Sequence, residues 1–472
     1  MNTDAADEAR TARKGAADGA GDDAAGDVAA GPDGGAGPEG DGLALRIEVR
    51  DSLAGVAPEA WDALNPGGYP FLFHAFLHGL ETTGCLGAST GWHPRYFLLR
   101  RGAFEADDEA AEVPGAELVG AVAAYVKTNS RGEFVFDWAW ADAYERHGRR
   151  YYPKLVAAMP FTPATGPRLL VAPGEPFAST ARLLAGAVRQ FAASEDYSSV
   201  HWLFVTEAEA ALLCGDAAGG GGAGGSGDEA VGGRDEDDLA PFDVGDHLAR
   251  LDCQYHWRNR DYADWDAFLA GCTSKRRKTL RRERRHVEEA GLVIERRRGD
   301  TLSAAEWEDV HALYASTFDR KWGSASLTEG FFHHLGEAFG ERTLVVLVHD
   351  PADRTPERPV ACSIMFEGDD TLYGRYWGCR REYPSLHFEA CYYQGIDHCI
   401  ERGLSTFEPG AQGEHKITRG FEPTLTRSAH WIAHPRFRDA IRDYLDEERP
   451  HVVRRCSGLT DLLPFRKSEL TL

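Results

Sequence analysis

The sequence predicts an α/β fold built from two similar halves, each with a mixed sheet. Three observations support this. Apolar runs typical of strands alternate with helical segments along most of the chain, as in α/β proteins. The two halves repeat one order of elements, and a glycine- and aspartate-rich stretch divides them. The chain of 472 residues is also long enough for two domains of ordinary size.

Hydrophobic spacing assigns the elements of each half. The first half is predicted to contain a helix at 71–84, strands at 96–100, 118–127 and 133–140, helices at 151–159 and 177–194, and a strand at 200–205. The second half is predicted to contain a helix at 328–339, strands at 343–348, 359–367 and 371–378, a helix at 387–403, and a strand at 405–410. Apolar residues of the last helix recur every three or four positions, and Gly403 supplies its stop.

The formal charge of -23 is concentrated in segments 1–42, 104–117 and 215–246, which carry -7, -6 and -8. Segments 1–42 and 215–246 are rich in alanine, glycine and aspartate and contain few large apolar residues, so ordering them would cost entropy that burial does not offset. We therefore divide the chain into a disordered acidic tail (1–42), a first domain (43–214), a flexible linker or insertion (215–246), a second domain (247–450) and a C-terminal tail (451–472).

Composition also limits the class of protein. No apolar run is long enough to span a bilayer, and the acidic N-terminus does not resemble a secretory signal. We expect a cytoplasmic protein without a membrane span. The nine cysteines form no C-x-x-C pair, which favours reduced thiols over disulfides or zinc. No spacing of histidine, cysteine and carboxylate residues predicts a metal site.

A basic helix is predicted at 274–290. Eight of its residues are lysine or arginine, at 275–278, 281, 282, 284 and 285. Leu280 and Val287 are the only apolar seam. Helix stabilisation does not require this density of charge, because each ion pair contributes only a few tenths of a kcal/mol. A solvated face and a phosphate-binding surface are both consistent with it.

Several long segments carry a family resemblance. They include TLYGRYWGCRREYPSLHFEACYYQGIDHCIERG (371–403), FDWAWADAYERHGRRYYPKL (136–155), CQYHWRNRDY (253–262) and TFDRKWG (317–323). The chain resembles the FemAB-like branch of the GNAT N-acyltransferase superfamily over about 53–103 and 118–450. The resemblance implies two tandem GNAT-like domains that face a shared cleft, and a role of the peptidoglycan-biosynthesis type.

The resemblance implies an N-acyltransferase that passes an acyl group from acyl-CoA or acetyl-CoA to a small-molecule amine in this cleft. Fem-type enzymes instead take an amino acid from aminoacyl-tRNA and add it to a peptidoglycan precursor, so tRNA is a possible partner. A catalytically silent GNAT-like binding module is the third alternative. A DNA partner is not expected.

Polar residues cluster where the last predicted strand of the second half ends, in EPGAQGEHKITRG. Acylation of an amine needs a base for the proton of the ammonium and a donor to the oxyanion of the tetrahedral centre. Glu414 or His415 can be the base, and Lys416 can neutralise the oxyanion. A polar turn that satisfies its own backbone is the alternative. We expect the substrate to contact residues from both halves: Asp137, Trp138, Asp142, Tyr144, His256, Tyr373, Arg375, Glu408 and Gln412.

The turn at 379–387 precedes a helix, whose N-terminus can bind phosphates. GNAT enzymes usually carry a glycine-containing loop here, but this loop reads CRREYPSLH. The missing glycine argues against ordinary acetyl-CoA binding, and Fem-type enzymes share this departure. Arginine residues can supply the charge instead. We expect donor phosphates at Arg380, Arg381, Ser385, Arg276 and Arg277.

Overall fold

The computed structural model describes residues 43–104, 115–215, 244–319 and 325–466. The acidic tail predicted at 1–42 and most of the linker predicted at 215–246 lie outside these ranges. We refer to residues 43–215 as the N-terminal half and to residues 244–466 as the C-terminal half.

The N-terminal half contains six strands and five helices among its described residues. Its strands are β1 (Ala44–Arg50), β2 (Trp92–Gly102), β3 (Glu117–Lys127), β4 (Lys154–Ala157), β5 (Leu170–Val171) and β6 (Ser199–Val205). Its helices are α1 (Pro58–Asp62), α2 (His74–Thr82), α3 (Trp138–Arg146), α4 (Phe177–Ser194) and α5 (Glu207–Cys214).

The C-terminal half repeats this pattern with seven strands and seven helices among its described residues. Its strands are β7 (Leu248–Arg258), β8 (Val293–Arg298), β9 (Thr343–His349), β10 (Ala361–Glu367), β11 (Thr371–Cys379), β12 (Thr406–Glu408) and β13 (Phe421–Ile432). Its helices are α6 (Trp265–Gly271), α7 (Ser274–Glu289), α8 (Ala304–Asp319), α9 (Glu329–Ala338), α10 (Leu386–Phe388), α11 (Gln394–Arg402) and α12 (Pro435–Leu459). A π-helical stretch, Glu389–Tyr393, joins α10 to α11.

The strands form one mixed sheet in the order β1-β2-β3-β4-β6-β13-β7-β12-β11-β10-β9-β8, and β5 pairs with β3. In each half, four neighbouring strands pair antiparallel, and the fourth of them pairs parallel with a fifth strand. This pair is β4 with β6 in the N-terminal half and β11 with β12 in the C-terminal half. The predicted α/β fold of two GNAT-like halves with mixed sheets is therefore confirmed, and the two sheets are joined edge to edge.

Strand β13 makes this junction. It is the last strand of the described chain, yet it pairs with β6 of the N-terminal half over Arg427–Ile432 and with β7 over Phe421–His430, both antiparallel. The core also crosses between the halves, because Phe71 packs edge-on against Phe366 and Tyr373. Each half thus contributes to the burial of the other.

Two predicted elements of the N-terminal half are wrong. The segment 133–140 was expected to be a strand, but α3 begins at Trp138 within it. The segment 151–159 was expected to be a helix, but Lys154–Ala157 is the buried strand β4, which lies between β3 and β6. A strand buried on both faces has no two-residue alternation, so an apolar run this short does not distinguish it from a helix.

The C-terminal elements agree more closely with the sequence. The basic helix predicted at 274–290 is α7, with Leu280 and Val287 buried on its inner face. Helix α11 ends at Gly403, whose φ of 69° is left-handed. The tail predicted at 451–472 begins inside α12, and its described part packs on the body: Phe465 is buried against Phe268. Within the described ranges, no helix is long and apolar enough to cross a membrane.

Candidate active site

The parallel strands β11 and β12 separate after three paired residues. Their pairing ends where Tyr373 lies opposite Glu408. Beyond this point β11 bulges, since Met365 of β10 pairs with Gly374 and Ile364 pairs with Tyr376. Arg375 is therefore the extra residue of the bulge. The last residue of β12 and the bulge residue of β11 lie together where the two strands diverge.

Four more polar groups surround Glu408 at this position. The Nε2 atom of His256 on β7 lies 3.6 Å from Glu408 Oε2. The backbone N–H of Thr165, in the loop between β4 and β5, donates to Glu408 Oε1 at 3.2 Å. Arg375 and Lys416 both act electrostatically on the Glu408 carboxyl. We call Glu408, His256, Gln254, Arg375 and Lys416 the Glu408 cluster.

The Glu408 cluster is buried but incompletely hydrogen-bonded. Glu408, His256, Gln254 and Lys416 are each no more than 5% exposed. Gln254 Nε2 donates to the carbonyl of Pro163 at 3.1 Å. Among the described residues, Gln254 Oε1, His256 Nε2 and Arg375 Nε have no hydrogen-bond partner. An unsatisfied buried polar atom costs about 1–3 kcal/mol, so each of these three atoms is a candidate to bond a water or a polar ligand.

Burial changes the ionisation of the Glu408 cluster. It raises the pKa of Glu408 to about 7, although Arg375 and the Thr165 amide oppose this rise. Burial and the charge of Arg375 lower the pKa of Lys416 to about 7. Burial, with the charges of Arg258 and Lys416, lowers the pKa of His256 to about 3, so His256 is neutral at pH 7. The carboxyl and the amine can therefore both exchange protons near neutral pH, as acid–base catalysis requires.

The raised pKa of Glu408 predicts how a glutamine variant changes stability with pH. The pKa rises from 4.5 to about 7 on folding, so the folded protein keeps a proton that the unfolded chain loses between these values. Wild-type stability therefore falls as pH rises through this range. We expect E408Q to exceed the wild type in free energy of unfolding by about 2–3 kcal/mol at about pH 8 and to match it at about pH 4.

Urea denaturation of both proteins across this pH range measures the difference. The glutamine keeps an oxygen that can accept the N–H of Thr165, so the variant removes the ionisation without removing this contact. A difference that does not change with pH would contradict the raised pKa of Glu408.

The three residues predicted as catalytic lie in a short 3₁₀ helix, Glu414–Arg419. Lys416 points inward, and its Nζ donates to the carbonyl of Gly410 at 2.6 Å. Glu414 is exposed and lies 3.9 Å from Arg455. His415 is also exposed, and a hydrogen bond of 2.9 Å joins its Nε2 to the hydroxyl of Tyr392. The structure thus brings Lys416, but neither Glu414 nor His415, into the Glu408 cluster.

The substrate-binding residues predicted on the N-terminal half lie elsewhere. Asp137 is buried, and its Oδ2 accepts hydrogen bonds from Lys154 and Tyr151, so an internal ammonium is its ion-pair partner. Trp138 and Asp142 are on the exposed face of α3. Tyr144 is buried and stacks on Phe437 of α12 at 3.9 Å between ring centroids. These four residues belong to the packing of α3 and not to the Glu408 cluster.

The substrate-binding residues predicted on the C-terminal half are closer together. His256, Arg375 and Glu408 belong to the Glu408 cluster. The ring of Tyr373 is buried edge-on against Tyr69, with 5.5 Å between the ring centroids. Tyr373 therefore forms part of the packing beside the Glu408 cluster. Gln412 is exposed.

The phosphate-binding residues predicted at the start of α10 are mostly engaged by acids or backbone. Arg380 pairs with Asp353 at 2.6 Å, and Arg381 lies 3.5 Å from Asp350. Ser385 has a left-handed φ of 66° and does not cap α10 with its side chain. Acidic residues of the loop between β9 and β10 therefore already neutralise the two arginines that were expected to hold phosphate.

Helix α7 presents a basic outer surface. Arg276 and Arg277 are half-buried, and Arg277 donates to the carbonyl of Cys272 at 3.1 Å. Arg284 turns inward to Glu389 and Asp397. The remaining charges border an open depression of about 420 Å³, lined by Lys278, Thr279, Arg281, Arg282 and Arg285. We call this depression the α7 basic surface.

Sequence reasoning did not assign a functional role to Gln254 or Thr165. Gln254 precedes His256 by two positions, and this spacing places both side chains on one face of a strand. This two-residue spacing could have identified Gln254 as a neighbour of His256 from the sequence. Thr165 contributes only a backbone N–H, and no side-chain pattern reveals such a contact.

Comparison with known proteins places the chain in a family. The model of the FemAB-like family, described as peptidoglycan biosynthesis/recognition, matches residues 52–467. The chain belongs to the FemAB-like family. No curated protein matches it significantly.

Solved structures with a similar overall fold share little sequence with the chain. FemX is 11% identical, with a TM-score of 0.44 over 82% of this chain and 98% of FemX. A tandem GNAT protein from the clavulanic acid biosynthesis pathway is 11% identical, with a TM-score of 0.40 over 83% and 99% of the two chains. L-PGS from Bacillus licheniformis is 10% identical, with a TM-score of 0.39 over 78% and 95%. These values are too low to transfer residue roles.

Proposed function

We propose that the chain is an acyltransferase that joins an activated acyl group to an amine of a peptidoglycan precursor at the Glu408 cluster. The observation that carries this proposal is the position of Glu408: a buried carboxyl with a pKa of about 7, at the point where β11 and β12 diverge. The FemAB-like family supplies the peptidoglycan context. The donor is an ester or thioester.

The residues of the Glu408 cluster can be assigned to successive proton transfers. The Glu408 carboxylate takes a proton from the substrate ammonium, and the free amine attacks the acyl carbonyl. A C–N bond forms, and the oxyanion of the tetrahedral intermediate is stabilised by the positive charge of Arg375. The C–O or C–S bond to the donor then breaks, and the leaving group takes a proton from the Lys416 ammonium. The nitrogen of the new amide gives its second proton to the neutral Lys416 amine, which restores the ammonium, and solvent takes the proton that Glu408 holds.

His256 and Gln254 are assigned to substrate positioning. His256 is neutral, because burial lowers its pKa to about 3, so it can exchange a hydrogen bond without adding charge. The unpartnered Gln254 Oε1 can accept a hydrogen bond from the N–H of an acceptor amide or amine. Both side chains come from β7, whose pairing with β12 and β13 fixes their position.

Of the two donors, we propose aminoacyl-tRNA over acyl-CoA. Arg380 and Arg381 already face acidic residues, which weakens the case for CoA phosphates at the start of α10. The α7 basic surface instead offers several exposed cations that suit an extended phosphate backbone, of which Arg281 also pairs with Asp266 at 2.9 Å. His286 of α7 contacts Ser385 at 3.2 Å, so this surface lies beside the start of α10.

Transfer assays with radiolabelled donors test both proposals. The full chain is incubated with a mixture of aminoacyl-tRNAs, or with acyl-CoAs, and with a peptidoglycan precursor peptide that carries a free amine. Transfer from tRNA supports the complete proposal. Transfer from acyl-CoA alone supports the reaction and rejects the tRNA donor. Absence of transfer from either donor, with binding of the precursor retained, indicates a silent binding module.

The α7 basic surface predicts salt-sensitive tRNA binding. We expect the variant K278Q/R281Q/R282Q/R285Q to bind tRNA more weakly and to lower the slope of log affinity against log salt by up to about 3, because each phosphate contact releases counterions. Titration by filter binding at several salt concentrations measures this slope. A matched control removes four exposed arginines elsewhere: Arg402, Arg436, Arg442 and Arg454. Equal losses in both variants would show that net charge, and not the α7 basic surface, determines binding.

A further inference from the structure

The chain exposes three aromatic side chains within five positions. Phe134, Phe136 and Trp138 are 36%, 53% and 46% exposed, and they are three of nine large hydrophobic residues that are exposed in the described chain. Scattered surface hydrophobics are normal, but a cluster of them marks an interaction site. We call the exposed surface of residues 131–150 the α3 surface.

Buried ion pairs hold these aromatic residues outward. The ammonium of Lys154 donates to Ser130, to Glu133 at 2.7 Å and to Asp137. Glu133 and Asp137 are both 3% exposed, so one buried cation fixes both ends of the segment 133–137. Between these anchors, Phe134 and Phe136 are exposed to solvent, while Val135 packs against the core. Phe134 accordingly adopts a left-handed φ of 62°.

A second set of contacts fixes the middle of the segment from the C-terminal half. Arg250 donates to the carbonyl of Phe136 at 2.8 Å and forms two hydrogen bonds with Glu448 of α12. Tyr444, which is 49% exposed, donates its hydroxyl to Glu448 at 2.8 Å. The backbone that presents Phe136 is therefore held by both halves, and a fourth exposed aromatic side chain is held beside it.

The α3 surface is positively charged, unlike the chain as a whole. It carries four exposed arginines and two exposed acids, Asp142 and Glu145, which gives a net charge of +2. Within the described ranges, none of these arginines forms an ion pair with a carboxylate. They are Arg131, Arg146, Arg149 and Arg150. Clustered aromatic and arginine side chains are typical of surfaces that rest on the anionic interface of a bilayer.

We propose that the α3 surface docks the protein on anionic membranes, with Phe134, Phe136 and Trp138 inserted at the level of the lipid headgroups. The arginines contact lipid phosphates, while the buried Lys154 network keeps the aromatic side chains directed outward. The proposal does not depend on the acyltransferase function, because none of its residues belongs to the Glu408 cluster.

Vesicle flotation of the full chain tests the proposal. We expect the wild type to float with vesicles that contain phosphatidylglycerol and to stay unbound with phosphatidylcholine alone. F136S/W138S should lose roughly tenfold or more in affinity for anionic vesicles. R149Q/R150Q should lose roughly 10- to 30-fold, and less at high salt. F177S, which removes an aromatic side chain that is 41% exposed on α4, should bind as the wild type does.

Thermal unfolding of each variant shows that the fold is intact, since every substitution is at an exposed position. The proposal is wrong if the wild type does not float with anionic vesicles, or if F136S/W138S floats as well as the wild type. It is also wrong if the wild type does not bind vesicles but binds soluble glycan fragments or forms dimers through this surface, and F136S/W138S loses that binding or dimerisation. Those results would assign the α3 surface to a sugar or to a second copy of the chain.

Discussion

The E408Q variant is expected to lose about 100-fold or more of the acyl-transfer rate, since a positioned general base contributes roughly 10²–10⁴-fold. An amide cannot take the proton of the substrate ammonium at neutral pH. In the wild type, the rate should fall at acidic pH as Glu408 is protonated near its pKa of about 7. In E408Q this acidic limb should be absent, because the group that titrates has been removed.

Steady-state kinetics across pH with the active donor measures both effects. A matched control is E401Q, which changes an exposed glutamate at the end of α11 and should leave the rate unchanged. Retention of the wild-type rate in E408Q would remove Glu408 from the reaction. Because E408Q is also expected to be the more stable protein above pH 7, a lower rate in this variant cannot be attributed to unfolding. Gain of stability with loss of rate is the pattern expected where a site holds a destabilising charge for function.

The largest expected effect on stability is that of K154M. Lys154 is fully buried and forms ion pairs with Glu133 and Asp137. Burial disfavours the Asp137 carboxylate, but the charge and hydrogen bond of Lys154, together with His201 and Ser130, outweigh burial and lower the pKa of Asp137 to about 2. Removal of the ammonium leaves the buried Asp137 carboxylate without its ion-pair partner and leaves Glu133 with only Lys127, whose Nζ lies 4.0 Å away. This loss costs about 3–5 kcal/mol. We expect this loss in the free energy of unfolding at neutral pH.

Chemical denaturation measures the loss, and two further variants test its origin. D142N changes an exposed carboxylate on α3 and should alter the free energy of unfolding by no more than about 0.5 kcal/mol. K154M/D137N should be less destabilised than the sum of its single variants, because the second substitution removes the unpaired carboxylate. Additive effects in the double variant would show that Lys154 and Asp137 do not interact in solution.

The sequence predicted elements well where one face is buried and the other is exposed. The helix at 177–194 coincides with α4, and the basic helix ends within one residue of α7, because periodic burial leaves its spacing in the sequence. The segment that contains Phe134, Phe136 and Trp138 has the two-residue alternation of a strand in its sequence but does not form one. Its alternation arises from buried Glu133 and Asp137, not from a sheet, and the cation that anchors them lies in another element.

Four residues of the candidate site were predictable because each stands out within its own segment of the sequence. Glu408, Arg375, Lys416 and His256 were all selected from their own segments, and the structure brings them together. The order of strands that joins them was not predictable, since β7 reaches β12 across more than a hundred residues of chain. Local patterns record which face of a strand is buried, but not which neighbour it pairs with.

The position of β13 has a consequence for synthesis of the protein. A chain that is still emerging from the ribosome contains β6 and β7 before residues 421–432 are made, and both strands must wait for β13. During that interval each presents an unpaired edge, which is a template for aggregation. Truncated fragments that end before β13 should therefore accumulate as insoluble material, even when they contain the whole N-terminal half. The sheet that joins the two halves therefore cannot form before β13 has been synthesised.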